Sequence, residues 1–336
     1  MRGALIVASF LLLLLLRAGS AAAAEPALLR PGDRNYLAFC IVVRNEAPYL
    51  REWLDYHVAA GGDAFYVYDH KSDPPVAQTL AEDVRGGRVV VERLDAASSI
   101  PAAALAAGER LQPTAAHACA ATHGHKHTWM AFIDADEYLV SFDGRPLPQV
   151  LAPYEAYGAL AVHWKLFGSA RHNGTRRSDR RVLARFRRCA YDCHYKSVLR
   201  TMGRPPPLRT DNHRWALQNQ SSSYAALTVN TLFQPLGPNL NLTCPQIASY
   251  AHTPPPAMDP RLFDVLFVHH YATKSAREFH AKVKRHVEGG RLGRFTNWQA
   301  LSYYNNVDAR VTEAPHCALP NATRRAAAAE AATRTH

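Results

Sequence analysis

The feature that most constrains this chain is an apolar run, residues 129–133, that ends in three acids, Asp134, Asp136 and Glu137. Five consecutive apolar residues are typical of a strand that is buried on both faces. Burying a carboxylate without a partner costs several kcal/mol, so we expect the strand to end where Asp134 begins. Acids at the carboxyl end of a buried strand lie where open α/β sheets bind their ligands.

Asp134 and Asp136 therefore form a candidate site for a metal ion and a diphosphate. Carboxylate oxygens suit a hard divalent cation, and two carboxylates leave coordination positions for phosphate oxygens. The competing interpretation is a solvated acidic turn, because acids are common in turns. The residues around the pair have to decide between these two interpretations.

The first half of the chain alternates apolar runs with amphipathic stretches. Strands are predicted at 36–43, 64–68 and 89–91, and helices at 48–59, up to about 83, and at 114–123. This alternation predicts an α/β fold with a doubly wound, mostly parallel sheet, whose strands end on one rim. Later elements are expected as strands at 159–164, 182–186 and 197–201 and as a helix at 275–288, with Ser275 and Glu278 forming a capping box.

Polar residues follow three of the predicted strands and would meet on that rim. They are Arg44, Asn45 and Glu46 after the first strand, Asp69 after the second, and the acids at 134–137. Such convergence is typical of a nucleotide-binding crevice. The forked donors of Arg44 suit a base or a diphosphate. The sequence contains no Gly-x-Gly-x-x-Gly or Gly-Lys-Ser/Thr loop, so a metal would hold the diphosphate instead of backbone amides.

The amino terminus has the layout of a secretory signal peptide, with a basic start, an apolar run at 4–16 and small residues at 21–24. The apolar run is short for a bilayer span, so membrane attachment is expected only if residues 1–24 are an uncleaved anchor. Six cysteines fit an oxidising lumen; the alternative for Cys40, in a buried strand, is a core thiol. Four glycosylation sequons agree with this compartment: Asn173, Asn219, Asn241 and Asn321.

The positive charge of the chain is concentrated in one segment. Residues 165–214 contain fourteen Lys/Arg and three Asp, a net charge of +11 that equals the net charge of the whole chain. A basic patch often binds nucleic acid, but a secretory protein rarely meets it, so we expect no nucleic-acid partner. Phosphate, a sugar diphosphate or an acidic glycan are the better candidates, and a solvated basic face is the alternative.

Five short motifs occur in a fixed order along the chain, at 43–57, 68–73, 132–139, 164–169 and 270–275. In this order they resemble glycosyltransferase family 92 (the DUF23 domain), which is related to family 2 glycosyltransferases and has the GT-A fold. The resemblance implies a metal-dependent, inverting hexosyltransferase of the Golgi lumen or a secreted form. Such an enzyme uses a UDP-sugar, often UDP-galactose, with Mn²⁺ or Mg²⁺, and a glycan acceptor.

The residue patterns at the two ends and the resemblance between them together predict a domain organisation. Residues 1–24 are the leader, 36–308 the glycosyltransferase domain, and 309–336 an Ala-rich, low-complexity tail. Within the domain, 36–150 form the nucleotide-sugar half, which is Rossmann-like, and 151–308 an irregular acceptor half. Neither the resemblance nor the residues select an oligomeric state.

Roles for single residues follow from the same resemblance. Asp134 would face ribose and metal, Asp136 would ligate the metal, and His270 would contact metal or diphosphate. Arg44, Asn45, Glu46 and Asp69 would bind the nucleoside, and Lys274 would share the charge on the departing diphosphate. Inversion needs a base for the acceptor hydroxyl. The candidates are Asp192 and Asp211. His213 lies two residues after Asp211, and nothing in the spacing selects one of these three residues as the base.

Two other functions compete with this hypothesis. One is a non-catalytic, secreted glycan- or polyanion-binding protein with a degenerate transferase fold, against which the intact Asp134 and Asp136 count. The other is a nucleotide-sugar hydrolase, in which water replaces the acceptor. The spacing of His123, His125 and His127 would also allow a zinc site, but no second ligand set flanks it, which favours a polar turn.

Overall fold

The computed structural model describes residues 35–95, 98, 100, 111–169, 181–204, 209–210, 215–217, 227–236, 259–288, 297–313 and 317–321. The predicted leader, the base candidate Asp211, its neighbour His213 and three of the four sequons lie outside these residues. Within them, no helix combines the length and the apolar character that a bilayer crossing requires.

Thirteen strands and eight α-helices are found in the described residues. The strands are β1 (Leu37–Val43), β2 (Ala64–Asp69), β3 (Val89–Arg93), β4 (Trp129–Phe132), β5 (Glu137–Ser141), β6 (Ala159–Phe167), β7 (Arg188–Arg200), β8 (Arg209–Thr210), β9 (Trp215–Ala216), β10 (Thr228–Asn230), β11 (Pro235–Leu236), β12 (Leu266–His270) and β13 (Thr312–Glu313). The helices are α1 (Ala47–Ala59), α2 (Val76–Thr79), α3 (Ala81–Arg85), α4 (Leu111–His123), α5 (Leu147–Leu151), α6 (Val182–Arg185), α7 (Ala276–Glu288) and α8 (Asn297–Arg310).

One large mixed sheet of eleven strands organises the described part of the chain, with its main path in the order β11-β10-β6-β7-β4-β1-β2-β3. The four strands β3, β2, β1 and β4 are parallel, as predicted for the first half. β7 enters antiparallel between β4 and β6. β12 pairs parallel with β6 and antiparallel with β5. The predicted α/β class is confirmed, with a parallel sheet in the first half and a mixed sheet overall.

The parallel strands form because their side chains are apolar on both faces. All residues of β4 are buried, and β1 is buried except for Val42, which is partly exposed. Helix α1 starts with Pro48 in its first turn, where a missing amide is tolerated. Its buried face, which includes Leu50, Trp53 and Leu54, packs into the same core. The right-handed α/β alternation then brings the carboxyl ends of β1, β2 and β4 to one edge.

Three side chains of α1 form hydrogen bonds with the backbone of β5. Trp53 Nε1 donates to the carbonyl of Glu137 at 2.8 Å, and Tyr56 Oη donates to the carbonyl of Leu139 at 3.2 Å. The amide of Leu139 donates to His57 Nε2 at 3.2 Å. Burial lowers the pKa of His57 to about 3, so its imidazole is neutral and can accept this bond. These contacts fix the start of β5, where the acidic motif ends.

Two predictions about local structure were wrong. Residues 182–185 form the helix α6 and not a strand, because the Glu52 carboxylate accepts from the amides of Val182 and Leu183 at 2.7 and 3.1 Å. This side-chain cap satisfies amides that a first helical turn leaves without a partner. The interpretation of Cys40 as a core thiol was also wrong, because Cys40 is disulfide-bonded to Cys119 of α4.

The described part of the predicted tail is attached to the sheet. β13 pairs antiparallel with the start of β7, and Cys317 is disulfide-bonded to Cys189. The strand predicted at 197–201 is the end of the longer strand β7, and the capping box of α7 is present as predicted. In that box, the amide of Ser275 donates to Glu278 Oε2 at 3.1 Å and the amide of Glu278 donates to Ser275 Oγ at 3.3 Å.

Candidate active site

An open cleft of about 250 Å³ lies at the carboxyl edge of the parallel strands. Its polar lining comes from the β1 and β2 ends, the acidic motif, the end of β12, and helices α4 and α7: Arg44, Glu46, His70, Gln112, Asp134, Asp136, His270, Lys282 and Arg285. The cleft therefore joins residues that are far apart in the sequence.

Asp134 follows β4 and is held on both carboxylate oxygens. Gln112 of α4 donates to Oδ1, and Lys196 of β7 donates to Oδ2 at 2.9 Å. Burial opposes ionisation of this carboxyl group, but the Lys196 ammonium outweighs it and lowers the pKa of Asp134. Asp134 is therefore a charged group in a fixed orientation at the edge of the cleft.

Asp136 lies among cations from the second half of the chain. Lys282 Nζ is 2.6 Å and Lys274 Nζ is 3.7 Å from Oδ2, and His270 Nε2 is 3.8 Å from Oδ1. Burial opposes ionisation here too, but Lys282 and then Lys274 hold the pKa of Asp136 well below its usual range. A buried anion is thus balanced by two ammonium groups, and the imidazole is nearby without a hydrogen bond to it.

Asp136 and His270 fit a divalent metal ion. Their facing atoms are too far apart for a hydrogen bond and near the roughly 3 Å spacing of two neighbouring ligands on one small ion. Burial lowers the pKa of His270 to about 3, so the imidazole is neutral and has lone pairs for a metal. Among the described residues, His270 Nδ1 is buried without a hydrogen-bond partner, which is an unusual state for a polar atom.

Glu137 is the third acid of the motif and is fully buried. Its Oε2 accepts from the amide of Asp134 at 2.8 Å and lies 3.3 Å from Lys196 Nζ. Burial raises the pKa of Glu137 to about 8. Its Oε1 has no hydrogen-bond partner in the described structure and is 4.0 Å from His270 Nδ1. Glu137 closes the turn that carries the two aspartates and lies behind His270.

The predicted nucleoside contacts fall into two groups. Arg44 and Glu46 line the cleft, where Arg285 donates to Glu46 Oε1 at 2.8 Å. Asn45 and Asp69 bind loop backbone: Asn45 Oδ1 accepts from the amide of Asp73 at 2.7 Å. Asp69 is buried and accepts from the amides of Ser72 and Val76 at 2.8 and 3.1 Å. Asn45 and Asp69 therefore stabilise the loops that follow β1 and β2.

Lys274 and Asp192 were predicted from the second half of the chain, and both are buried. The Lys274 ammonium lies 3.7 Å from Asp136 Oδ2 and 4.6 Å from the centre of the Tyr49 ring, and Lys274 is not among the described residues that line the cleft. Asp192 is on β7 and has both oxygens engaged, by His194 Nδ1 at 2.5 Å and by Arg310 at 2.9 Å. A carboxylate held in this way orients its partners.

Four residues of the site were not predicted from the sequence: Gln112, Lys196, Lys282 and Arg285. Lys196 gives no local signal, because it precedes the strand predicted at 197–201 and lies in a segment that also contains Asp192 and Arg200. Lys282 and Arg285 are three residues apart on the predicted helix α7 and therefore share a face, but no local pattern shows that this face meets Asp136. Gln112 gives no signal, because its role depends on the packing of α4.

The basic segment at 165–214 is partly internal. In its described part, Lys196 pairs with Asp134, and Arg185 makes two hydrogen bonds to Glu278, at 2.6 and 2.9 Å, with both side chains buried. Arg200 donates to the carbonyl of Thr128 at 3.3 Å. These three side chains are therefore not part of a solvated basic face, which was the alternative predicted from the composition. They connect β7 and α6 to other parts of the fold.

The histidines at 123–127 do not converge on a zinc site. His123 stacks on Tyr66 with ring centres 3.8 Å apart, and His127 Nε2 is hydrogen-bonded to the hydroxyl of the same tyrosine at 2.8 Å. His127 Nδ1 faces the carbonyl of Asn35 at 3.0 Å. Burial lowers the pKa of His127 to about 4. The predicted polar turn describes this segment better, with two of its histidines packed inward.

Comparison with known proteins assigns the family. A model of glycosyltransferase family 92 matches residues 35–202, which is half of the chain. The chain belongs to glycosyltransferase family 92. The match contains Arg44, Asp134, Asp136 and Lys196, whereas His270 and helix α7 lie beyond it.

Two curated plant proteins of this family align with shorter segments. One, from Oryza sativa subsp. japonica, is 29% identical over 118 residues, which is 35% of this chain and 18% of the relative. The other, from Arabidopsis thaliana, is 25% identical over 113 residues, which is 32% of this chain and 17% of the relative. The chain thus matches less than a fifth of the length of either relative.

Solved structures give more distant matches. Residues 1–349 of TarS from S. aureus in complex with UDP are 13% identical, with a TM-score of 0.32, over 49% of this chain and 47% of that one. A mannosyltransferase from Pyrobaculum calidifontis in complex with GDP-Man and Mn²⁺ is 18% identical, with a TM-score of 0.25, over 46% and 42%. TM-scores this low do not define a common structure, so the assignment rests on the family match.

Proposed function

We propose that the protein is a metal-dependent, inverting glycosyltransferase that transfers a sugar from a UDP-sugar to a glycan acceptor. Galactose is the first sugar to test, and the lumen of the secretory pathway is the proposed location. The disulfides of Cys40 with Cys119 and of Cys189 with Cys317 support that location, because such bonds persist in oxidising compartments.

The observation that carries this proposal is the pairing of Asp136 with His270 inside a cleft that also contains cations. Asp136 comes from the acidic motif and His270 from β12, and their facing atoms are 3.8 Å apart. Asp136, His270 and, through its remaining lone pairs, Asp134 would hold a divalent cation. When bound, the cation would neutralise the charge that develops on the departing diphosphate.

The side chains of the cleft supply further charge for a diphosphate. Lys282 and Arg285 project from α7 into the cleft and Arg44 from the end of β1. Guanidinium groups bind phosphate oxygens with two parallel donors. Lys282 and Arg285 are paired with Asp136 and Glu46 in this structure. An anionic donor would offer both of them phosphate oxygens as alternative partners.

Nucleotide binding to the full chain tests this function. We expect UDP with Mn²⁺ to raise the melting temperature of the wild type, and a ligand at a hundredfold its Kd adds about 2.7 kcal/mol of stability. Asp136→Ala should abolish the shift, measured against the variant's own ligand-free melting temperature. The matched control is Asp143→Ala, an exposed acid after β5 that is not part of the cleft lining, which should keep the shift.

The outcomes separate the competing functions. A shift with UDP and Mn²⁺ followed by acceptor-dependent UDP release from UDP-galactose supports a transferase, and UDP release that no glycan accelerates supports a hydrolase. No shift with any nucleoside diphosphate, with or without Mn²⁺, overturns the proposal and favours a protein that binds polyanions.

A further inference from the structure

The pairing of β5 with β12 places Glu137 opposite His270. The two strands are antiparallel, and Glu137 is the registered partner of His270 at the end of the ladder. Residues directly opposite each other in an antiparallel pair have their side chains on one face, with Cβ atoms about 5 Å apart. The amide of Tyr271 donates to the carbonyl of Asp136 at 2.8 Å and extends the contact by one residue. The backbone itself therefore holds the acidic motif and His270 together.

Two buried polar atoms face each other across this pair. Glu137 Oε1 and His270 Nδ1 are 4.0 Å apart, and within the described part of the chain neither atom has a hydrogen-bond partner. A buried polar atom that stays unpaired costs about 1–3 kcal/mol, and native structures contain few of them. Two such atoms that face each other indicate a contact that forms when the site is occupied.

The other oxygen of Glu137 accounts for its structural role. Oε2 accepts from the amide of Asp134 at 2.8 Å and lies 3.3 Å from Lys196 Nζ. Both neighbours of Oε2 are donors, so Glu137 acts as an acceptor there. Closing the turn of the acidic motif thus occupies one oxygen of the carboxyl group, and the second oxygen faces the imidazole of His270.

The two ring nitrogens of His270 face different groups. Nε2 is 3.8 Å from Asp136 Oδ1, and Nδ1 is 4.0 Å from Glu137 Oε1. His270 and Asp136 line the cleft, whereas Glu137 is fully buried and is not among the described residues of the lining. Trp164 packs against the imidazole with ring centres 4.3 Å apart. When one nitrogen of a histidine ligates a metal, the other commonly donates to a carboxylate.

An ion between Glu137 and His270 is the alternative use of this gap. Lys196 Nζ lies 3.3 Å from the same carboxyl group, and its positive charge opposes a cation at that position. The two facing atoms are also buried, and a divalent ion needs further ligands or waters to complete its coordination. A metal therefore fits the cleft side of His270, and the gap behind the ring fits a hydrogen bond.

We propose that Glu137 is a positioning residue for His270, an inference that rests on the proposed metal-dependent function. With a divalent cation in the cleft, Nδ1 of His270 carries the ring proton and donates a hydrogen bond to Glu137 Oε1. Nε2 then keeps its lone pair for the ion, beside Asp136. The facing atoms are about 1 Å beyond hydrogen-bond distance, a gap that a small rotation of the ring closes. Glu137 thus sets the tautomer and the orientation of His270 without touching the ion.

The affinity for Mn²⁺ tests this role, measured on the full chain by isothermal titration calorimetry with and without saturating UDP. Glu137→Gln keeps an oxygen for the Asp134 amide and Lys196 but turns an amide NH₂ group toward His270, where an acceptor is required. We expect the Kd of Mn²⁺ to rise about 10- to 100-fold. The matched control is Glu52→Gln, another carboxylate that accepts from a backbone amide but lies outside the cleft lining; its Kd should equal that of the wild type.

A double-mutant cycle separates the positioning of His270 from the closure of the turn. His270→Gln offers an amide oxygen as an alternative ligand and removes Nδ1, so Glu137 has no ring to orient. If Glu137 acts through His270, Glu137→Gln should change the Kd of Mn²⁺ much less in the His270→Gln background than in the wild type. A purely structural role of Glu137 would cause the same loss of affinity in both backgrounds.

The assignment to Glu137 is overturned if Glu137→Gln binds Mn²⁺ as the wild type does, or if its loss of affinity is undiminished in the His270→Gln background. Ligand-free melting temperatures show whether each variant is folded. If Glu137→Gln is not, Glu137→Asp replaces it, since aspartate keeps the charge beside Lys196 and withdraws the oxygen from His270; wild-type affinity of this variant would also overturn the assignment. A wild type that binds no Mn²⁺, with or without UDP, overturns the metal-dependent function itself, which separates the two failures.

Discussion

The cleft is lined by residues from two parts of the described chain, which place their charged residues in different ways. We call the part built from residues 35–151 the first wall and the part built from residues 159–321 the second wall. In the wall from the first half of the chain, β1 and β4 contain no charged residue, and the polar groups follow the strand ends. In the wall from the second half, β7 alone carries Asp192, Lys196 and Arg200, all of them buried. In the first wall, the apolar strand residues and the charged residues occupy separate stretches of the sequence. In the second wall, one strand contains both kinds of residue.

This difference determines how each wall is stabilised. Three buried charges of the second wall have a charged partner from a distant segment: Lys196 binds Asp134, Arg185 binds Glu278, and Asp192 binds Arg310. A buried ion pair adds little net stability, but the loss of one partner leaves a costly buried charge. The acidic motif of the first wall therefore depends on cations of the second.

The largest expected effect comes from Lys196→Met, which breaks the link between the walls. Asp134 and Glu137 would lose their common ammonium group, and we expect unfolding to become easier by about 3–5 kcal/mol. Urea denaturation measures this change. Lys126→Met, at an exposed position of similar chemistry, should change the stability by no more than about 0.5 kcal/mol. Equal effects of the two variants would show that the walls are stabilised independently.

Removal of the disulfide between Cys189 and Cys317 tests the second wall alone. The two cysteines are 128 residues apart in sequence, so the bond restricts a long loop of the unfolded chain. The double variant Cys189→Ser/Cys317→Ser should be less stable by about 2–4 kcal/mol. Neither cysteine lines the cleft, so the Kd of UDP should stay the same when measured well below the melting temperature. A weaker Kd would instead connect the start of β7 to the site.

A smaller effect is expected from Trp53→Phe, which tests the first wall. This buried residue donates to the carbonyl of Glu137 at 2.8 Å, and phenylalanine cannot. The loss of the donor should cost about 1–3 kcal/mol. Tyr56→Phe removes the longer bond to Leu139, 3.2 Å, and should cost less, about 1 kcal/mol. The reverse order of stability would contradict the view that the α1 contact at Glu137 is the one that fixes the motif.

The first wall could be predicted from the sequence because its signals are local. An apolar strand, its end at Asp134 and the polar residues beyond it lie within one short stretch, and the parallel order follows from α/β alternation. The capping box of Ser275 and Glu278 was also predicted, for the same reason. The two carboxylates of the motif and Arg44 line the cleft as expected, and Asn45 and Asp69 are close by in sequence but bind loop backbone.

The second wall could not be predicted in the same way, because its signals are long-range. A segment of four residues is too short to show a helical period, and residues 182–185 become helical through Glu52, which is 130 residues away from Val182. Cys193 and His194 form a β-bulge that exists only in the register between β6 and β7. Lys282 reaches Asp136 from 146 residues away. Pairings at this separation depend on the complete fold, and no spacing within one segment encodes them.

Lys165 gives the finest test of the difference between the walls, since it is a buried cation of the second wall beside aromatic rings. Its side chain is 2% exposed, and its ammonium lies 3.4 Å from the centre of the Phe267 ring. Burial lowers the pKa of Lys165 to about 7, with Asp264 acting in the opposite direction. Between this pKa and the unfolded value near 10.4, the unfolded chain binds more protons, so this group makes the wild type more stable as the pH rises.

We therefore expect Lys165→Met to be more stable than the wild type at pH 7 and to lose that advantage as the pH rises to 9. The difference should shrink by up to about 1.4 kcal/mol per pH unit, as measured by urea denaturation of both proteins at pH 7, 8 and 9. The exposed control Lys126→Met should run parallel to the wild type over the same range. A difference in stability between Lys165→Met and the wild type that does not change with pH would mean that the Lys165 ammonium stays charged in the folded protein. Its contacts with aromatic rings would then compensate for burial, as the carboxylates do for Lys196.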